Sequence, residues 1–154
     1  MRGQRALVTG ASRGIGRAIA QRFAAEGMHV AICARGANDL EKAAQDLREC
    51  NVEVVARPVD VANADKLRAF VSDAAEALAG LDVYVSNVTG GGDPDEAGWR
   101  RDFEVDLMGA VRGVEAAEEH LAASGSGSIV FIGTTAAVEY FDGHGPYACL
   151  LSTS

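Results

Sequence analysis

Two kinds of segment alternate along this 154-residue chain, and their alternation restricts the possible folds more than any other feature. The first kind is short and rich in β-branched residues, and it occurs at 6–9, 29–33, 52–59, 82–86 and 128–132. The second kind has apolar residues at helical spacing. This alternation predicts a parallel sheet covered by helices. Because crossovers between parallel strands are right-handed, we expect a doubly wound α/β sheet with strand order 3-2-1-4-5.

The helical segments carry their own positional signals. Apolar residues recur every three or four positions in the segments 15–23, 67–80 and 99–121, the last being the longest. In a further segment Asn38 is followed three residues later by Glu41, which is the pattern of a capping box. We therefore expect Asn38 to cap that helix.

Composition and charge exclude several classes of protein. The length suits a single domain over residues 1–154, and a hydrophobic content of 48% is typical of a globular chain. The formal net charge of −8 predicts no nucleic-acid partner. The three cysteines are widely spaced, which favours neither a disulfide framework nor a metal site. With no signal peptide or long apolar run, we expect a cytoplasmic protein without a membrane partner.

The loop after the first strand reads TGASRGIG, residues 9–16, and each glycine in it has a mechanical use. Gly10 allows a sharp turn, Gly14 lets a phosphate approach the backbone, and Gly16 allows close packing of helix and sheet. The helix that follows offers free N–H groups to a pyrophosphate. The candidate cofactor-binding residues of this loop are Gly10, Ser12, Arg13, Gly14, Ile15 and Gly16.

With this loop, with SN at 86–87 after the fourth strand, and with the late Tyr147, the sequence resembles the short-chain dehydrogenase/reductase family. The resemblance extends over the whole chain. It implies a Rossmann-like fold, a nicotinamide dinucleotide cofactor, and hydride transfer to or from the carbonyl or alcohol carbon of a small molecule. A dinucleotide-binding or protein–protein module on the same scaffold remains an alternative.

The end of the second strand bears on the choice of dinucleotide. Family members that take NAD tend to have an acid where this chain has Ala34, and Arg35 follows directly. Arg35 and Arg13 could bracket a 2′-phosphate, so we expect NADP(H) to be favoured over NAD(H). The alternative is that Arg35 is a solvated loop residue.

The ends of the third and fourth strands supply further cofactor candidates. Asp60 and Val61 match the family position that contacts the adenine, although Asp60 could instead cap the following helix. Asn87 matches the second asparagine of the family motif NNAG, whereas Ser86 and Thr89 depart from it. Asn87 could also join the central strands through side-chain hydrogen bonds.

The resemblance implies three catalytic residues. Tyr147 takes the position of the proton-transferring tyrosine, and Thr134, thirteen residues earlier, takes that of the hydroxyl that orients the substrate. Asp106 takes the position of a helix asparagine, although a local hydrogen bond would equally explain an acid there. In the family a lysine four residues after the tyrosine lowers the tyrosine pKa from its usual value of about 10. Here that position is Leu151.

Leu151 leaves two hypotheses open. The chain is either a short-chain reductase or a catalytically impaired dinucleotide-binding remnant, interrupted within or just after the Tyr-x-x-x-Lys motif. In the family, a long helix and another strand follow the tyrosine. Without them the fifth strand would be an exposed edge, so we expect this chain to self-associate.

Overall fold

A single parallel sheet organises the computed structural model, which describes residues 1–137 and 145–151. The strands are β1 (Arg5–Thr9), β2 (His29–Ala34), β3 (Val54–Pro58), β4 (Val83–Ser86) and β5 (Ser128–Phe131). Each overlaps its predicted run, with small differences at the ends. The spatial order is β3-β2-β1-β4-β5 and all four pairings are parallel, which confirms the predicted topology.

The helices are α1 (Gly14–Ala25), α2 (Ala37–Arg48), α3 (Ala64–Ala77), α4 (Glu96–Asp102), α5 (Gly109–Ala123) and α6 (Gly145–Leu151). A π-helical segment, Phe103–Met108, joins α4 to α5, so the predicted long helix is one helical run with a π segment inside it. A short 3-10 turn covers Thr135–Ala137. Within the described residues, no helix combines the length and the apolarity that a membrane span would need.

Small residues, rather than the large apolar ones, form the inner face of α1. The helix buries Gly16, Ala20 and Ala24, whereas Ile15 is 62% exposed. The predicted helix is confirmed, but its predicted apolar series, which begins at Ile15, is offset from the buried face. Small side chains let the helix axis approach the sheet closely, and the larger apolar residues then lie beside the contact.

The same rule governs α5. Its buried residues include Gly109, Gly113 and Ala117, and a Cβ at Gly113 would collide with the Tyr84 hydroxyl on β4. Trp99, the first residue of the predicted apolar series in this helical run, is 39% exposed. Close contact with the sheet therefore selects the buried face of both helices.

The predicted cap of α2 is wrong. The helix begins at Ala37 with Gly36 at the capping position, and Asn38 lies inside the first turn. The first helical turn closes at Gly36, because the Leu40 N–H donates to the Gly36 carbonyl at 3.2 Å. This closure places Leu40 in the core.

The alternative role of Asp60 as a helix cap is also wrong. The helix α3 begins at Ala64, and the Asn63 side chain caps it by accepting from the Lys66 N–H at 3.0 Å. Asp60 instead accepts from the Ala62 N–H at 3.1 Å and so closes a tight turn before the cap. The tight turn at Asp60 therefore comes first, and the capping residue Asn63 follows it.

Candidate functional site

A cleft of about 500 Å³ opens at the carboxyl ends of the strands, where the strand order reverses between β1 and β4. The lining includes every predicted cofactor residue except Gly16, namely Gly10, Ser12, Arg13, Gly14, Ile15, Arg35, Asp60, Val61 and Asn87. Parallel α/β sheets bind ligands at this kind of position. The topology thus brings together residues from four separate loops.

Sequence reasoning did not assign the remaining lining residues to cofactor binding, although it noted Ala34 and Thr89 as departures from the family pattern. These residues are Ala34, Gly36, Asp39, Val59, Val88, Thr89 and Val105. Most of them are chain neighbours of predicted residues, and their position at a strand end was the available signal. Val105 follows no strand, and its neighbour Asp106 was its only sequence signal, because it enters the cleft from the π-helical segment far along the chain. Only the packing of that segment places it there.

The glycine loop is shaped to receive an anion. Gly10 and Gly14 have φ values of +67° and +59°, a region that favours glycine. Nothing lies within 4 Å of the point where a Cβ of Gly14 would stand, so the backbone there faces open space. The helix α1 starts at this point, has no acid in its first turn, and carries no side-chain cap among the described residues. Its N–H groups and dipole can therefore bind a phosphate.

Asn87 joins the two strands at which the order reverses. Its side-chain nitrogen donates to the carbonyls of Thr9 and Gly10, at 3.2 and 3.3 Å. Its backbone N–H donates to the Thr9 hydroxyl, which in turn donates to the Val85 carbonyl. These bonds are the ones expected of a residue that pins the central strands. Thr9 is an additional member of the site that sequence reasoning did not identify.

Gly16 lies behind the cleft wall rather than in it. A Cβ at this position would collide with the Asn87 side-chain nitrogen and with the Gly10 carbonyl oxygen. The glycine therefore allows α1 to pack against the ends of β1 and β4, as the sequence predicted for this position.

Two arginines stand at the outer part of the cleft. Arg13 and Arg35 are exposed, and neither forms an ion pair with a carboxylate of residues 1–137 or 145–151. Ala34, at the end of β2, is buried, and its side chain offers no acceptor for a ribose hydroxyl. The lining also holds two acids, Asp39, whose carboxylate lies 3.9 Å from Lys42 Nζ, and Asp60, whose carboxylate accepts from the Ala62 N–H. This part of the cleft suits an anion.

The turn after β3 is supported from α5. Val61 is buried, and the bare Cα of Gly109 faces it, since a Cβ there would approach Val61 Cγ2 to 3.1 Å. Arg112 donates to the Ala62 carbonyl at 3.3 Å and pairs with Glu104 at 2.8 Å. The cleft residues of this turn are therefore fixed by packing and by a cation.

Asp106 lies in the π-helical segment and is only 3% exposed. Its Oδ1 accepts from the Gly90 N–H at 2.7 Å, and its Oδ2 accepts from the Thr89 hydroxyl at 3.4 Å. The pKa of Asp106 is raised to about 6, mainly by burial and in part by the nearby Asp102, while the Gly90 N–H opposes the shift. The carboxylate thus binds the loop after β4, which lies 16 and 17 residues earlier in the chain. Its catalytic role stays a prediction.

The other two predicted catalytic residues lie after β5. Thr134 is half-buried, and its hydroxyl accepts from the Ala136 N–H at 3.2 Å, which leaves its proton able to orient another group. Tyr147 and Leu151 lie in α6, and their side chains are outside the described part of the structure. Their catalytic roles stay predictions.

Comparison with known proteins identifies the family. The family described as short chain dehydrogenase matches residues 4–149, which is nearly the whole chain. This chain belongs to the short-chain dehydrogenase family. A relative in that family, cis-4-hydroxycyclohexanecarboxylate dehydrogenase of Sinomonas cyclohexanicum, is 38% identical over 134 residues, covering 81% of this chain and 52% of that protein.

Solved structures of short-chain dehydrogenases have the same fold. L-sorbose reductase from Gluconobacter frateurii, solved with NADPH and L-sorbose, superposes with a TM-score of 0.93 at 31% identity, covering 99% of this chain and 60% of that one. A short chain dehydrogenase from Mycobacterium paratuberculosis, bound to NAD, gives a TM-score of 0.90 at 27% identity, covering 99% and 63%. Structural neighbours within the family thus bind either dinucleotide.

This short-chain dehydrogenase chain spans about half the length of the curated relatives it matches, with 52% of the Sinomonas enzyme as one example. The matched part contains the glycine loop and the cleft described above. The structure therefore describes the part of the family fold that contains this cleft.

Proposed function

We propose that this chain is one dinucleotide-binding domain whose cleft prefers NADP(H) to NAD(H). We further propose that it serves an oxidoreductase that transfers hydride between NADP(H) and a small carbonyl or alcohol substrate. The observation that carries the cofactor preference is the pair of cleft arginines, Arg13 and Arg35, beside the buried Ala34. A 2′-phosphate would give these guanidinium groups a partner.

The electrostatics support this preference. A guanidinium binds a phosphate through charge-assisted hydrogen bonds, which are about twice as strong as neutral ones. An NAD site of this fold instead uses an acid near the end of the second strand to bind the ribose hydroxyls, and Ala34 cannot do so. Asp39 lies in the same wall, but the ammonium of Lys42 partly offsets its charge. The second acid of the lining, Asp60, accepts from the Ala62 N–H in the turn after β3, away from the β2 end that carries Arg35 in the sequence. The two guanidinium groups therefore favour a cofactor with the additional phosphate.

Fluorescence titration of the purified chain with NADPH and NADH tests the preference. We expect tighter binding of NADPH and loss of that preference in Arg35→Ala. Arg22→Ala is the matched control, because Arg22 is an exposed α1 arginine paired with Glu26 and is absent from the cleft lining. Equal affinity of the wild-type chain for both dinucleotides would refute the proposed preference.

For the chemical step, the bound cofactor would supply the hydride. Tyr147 would hold and donate the proton, and the Thr134 hydroxyl would orient the substrate oxygen. Tyrosine serves this purpose only if a positive charge lowers its pKa. Leu151 supplies no charge, and the sequence contains no lysine or arginine after Arg112. This observation favours the second candidate function, a dinucleotide-binding chain with little or no turnover.

Oxidation of NADPH in the presence of small ketones distinguishes the two candidates. We expect turnover of the chain near background. We expect Leu151→Lys to raise it if the missing cation limits the reaction, and the double variant with Tyr147→Phe to abolish the gain. Robust turnover by the wild-type chain would show that another group replaces the cation and would refute the second candidate.

A further inference from the structure

The loop Thr89–Gly92, which leaves β4 along the cleft, is held by two buried carboxylates. Asp102 ends α4, and Asp106 lies four residues later in the π-helical segment. The two residues are 0% and 3% exposed. Burying a carboxylate costs stability unless hydrogen bonds from the protein replace those from water. The donors that bind these two carboxylates are therefore part of what keeps them buried.

Each carboxylate receives a backbone N–H from the loop. The Gly90 N–H donates to Asp106 Oδ1 at 2.7 Å, and the Gly92 N–H donates to Asp102 Oδ2 at 2.8 Å. Gly90 and Gly92 are two residues apart in the loop, and Asp102 and Asp106 are about one turn apart in the helical run. The helix thus presents two acceptors to two donors on alternate loop residues.

The loop sequence suits this contact. A Cβ at Gly90 would overlap Asp102 Oδ1, and Gly92 has a φ of +87°, which favours glycine. From the helix, Arg101 donates to the Gly90 carbonyl at 3.0 Å and to Asp93 at 2.9 Å. Side chains of the helical run therefore bind both the N–H groups and a carbonyl group of the loop.

The contact reaches the cleft through Thr89. Its hydroxyl donates to Asp106 Oδ2, and Thr89 and its neighbour Val88 both line the cleft. A change at Asp106 would therefore move a wall of the cleft although the carboxylate itself is not among the lining residues. Asp106 can thus affect the cleft through Thr89.

We propose that Asp102 and Asp106 are positioning residues that form a carboxylate latch, holding the loop Thr89–Gly92 so that Val88 and Thr89 complete the cofactor wall of the cleft. This inference rests on the proposed cofactor-binding function for its effect on affinity. The latch itself is a property of the cofactor-free chain. The competing view is that both acids serve general stability alone.

Matched substitutions separate these views. Asp106→Asn keeps an oxygen that can accept from the Gly90 N–H, whereas Asp106→Leu has nearly the same shape and cannot accept. We expect the Gly90 amide hydrogen of the cofactor-free Leu variant to exchange at least about tenfold faster, as loss of one hydrogen bond implies. We expect the NADPH dissociation constant to rise by a similar factor, and the Asn variant to restore both values.

Asp82→Asn is the control for general destabilisation. Asp82 is a buried acid that directly precedes the first residue of β4, whereas the loop Thr89–Gly92 follows the last, and it pairs with Arg5. We expect it to lower stability without selective exchange at Gly90 or loss of NADPH affinity. If Asp106→Leu does not fold, Asp102→Leu with exchange at Gly92, compared with Asp102→Asn, provides the same test.

Three results would overturn the latch. They are unchanged exchange at Gly90 and Gly92 in both Leu variants, failure of the Asn variants to restore it, or an equal loss of NADPH affinity in Asp82→Asn. A wild-type chain that binds neither NADPH nor NADH would refute the proposed function and with it the role in affinity. The exchange rates would still decide whether the two acids hold the loop.

Discussion

The side-chain amide of Asn87 occupies the space beside Gly16 where any larger residue would place its Cβ. The same amide donates to the carbonyls of Thr9 and Gly10. The Asn87 side chain thus joins the ends of β1 and β4. Because Gly16 has no side chain, α1 can approach both strand ends. The phosphate-binding end of α1 is positioned by this contact.

Gly16→Ala should therefore destabilise the fold by about 1–3 kcal/mol, because the added methyl group meets backbone and a bonded amide that have little room to move. Urea unfolding at neutral pH measures the change. Gly36→Ala is the control, because nothing lies within 4 Å of its Cβ position and its φ is negative, so we expect a loss below about 1 kcal/mol. Equal losses in the two variants would contradict the steric account.

The ion pair between Arg5 and Asp82 should make stability depend on acid pH. Two nitrogens of Arg5 donate to the Asp82 carboxylate at 2.7 and 2.9 Å, and these bonds lower the pKa of Asp82. A lowered pKa means that the stabilisation is complete above the unfolded value of about 4 and is lost as the pH falls through the folded value.

Asp82→Asn should cost about 2 kcal/mol at pH 7, less than for a fully buried pair because Arg5 is partly exposed. The difference between variant and wild type should shrink below pH 4. Urea unfolding at pH 7 and pH 3 gives both values. A difference that stays constant with pH would show that the pair does not govern the acid response.

Asp106 should act in the opposite direction. Burial raises the pKa of Asp106 to about 6, with Asp102 adding to the shift and Arg101, Thr89 and Gly90 opposing it. A raised pKa means that the stability contributed by this group is complete below about pH 4 and is lost as the pH rises through about 6.

Relative to wild type, Asp106→Asn should therefore gain on the order of 2 kcal/mol between pH 4 and pH 7, because the variant has no charge to bury. Urea unfolding across this range measures the gain, and ¹³C NMR of the carboxylate reports the pKa directly. A carboxylate pKa near 4 would contradict this prediction.

The edge strand β5 should promote self-association of the chain. Its residues are exposed, including Ile129, Val130 and Phe131 at 42%, 41% and 43%. An exposed apolar edge strand readily pairs with another chain, and a charged residue on it opposes such pairing. Sedimentation velocity should show oligomers for the wild-type chain and a shift toward monomer for Val130→Lys. A wild-type chain that stays monomeric at high concentration would refute this prediction.

The sequence by itself determined the order of the elements and the place of the cleft. Alternating strand and helix patterns, with right-handed crossovers, leave one simple sheet order, and that order fixes which strand ends meet. The glycine loop could be recognised because its function depends on backbone conformation, which glycine reveals locally. The positions of Gly10 and Gly14 at the cleft could therefore be inferred residue by residue, whereas that of Asn87 followed from the family resemblance.

Only the tertiary structure decided which faces and contacts these elements use. Periodicity favoured large residues such as Ile15, but close approach to the sheet buries Gly16 and Ala20 instead. The observed helix caps differ from the predicted ones, because the position of the first hydrogen-bonded turn depends on how the chain leaves each strand. The sequence singled out Asp106 through the family resemblance, but it gave no signal for the contact of Asp102 and Asp106 with the glycine loop, which belongs to a different segment of the chain. Such contacts depend on distances between segments, and those distances arise only when the helical run packs against the sheet.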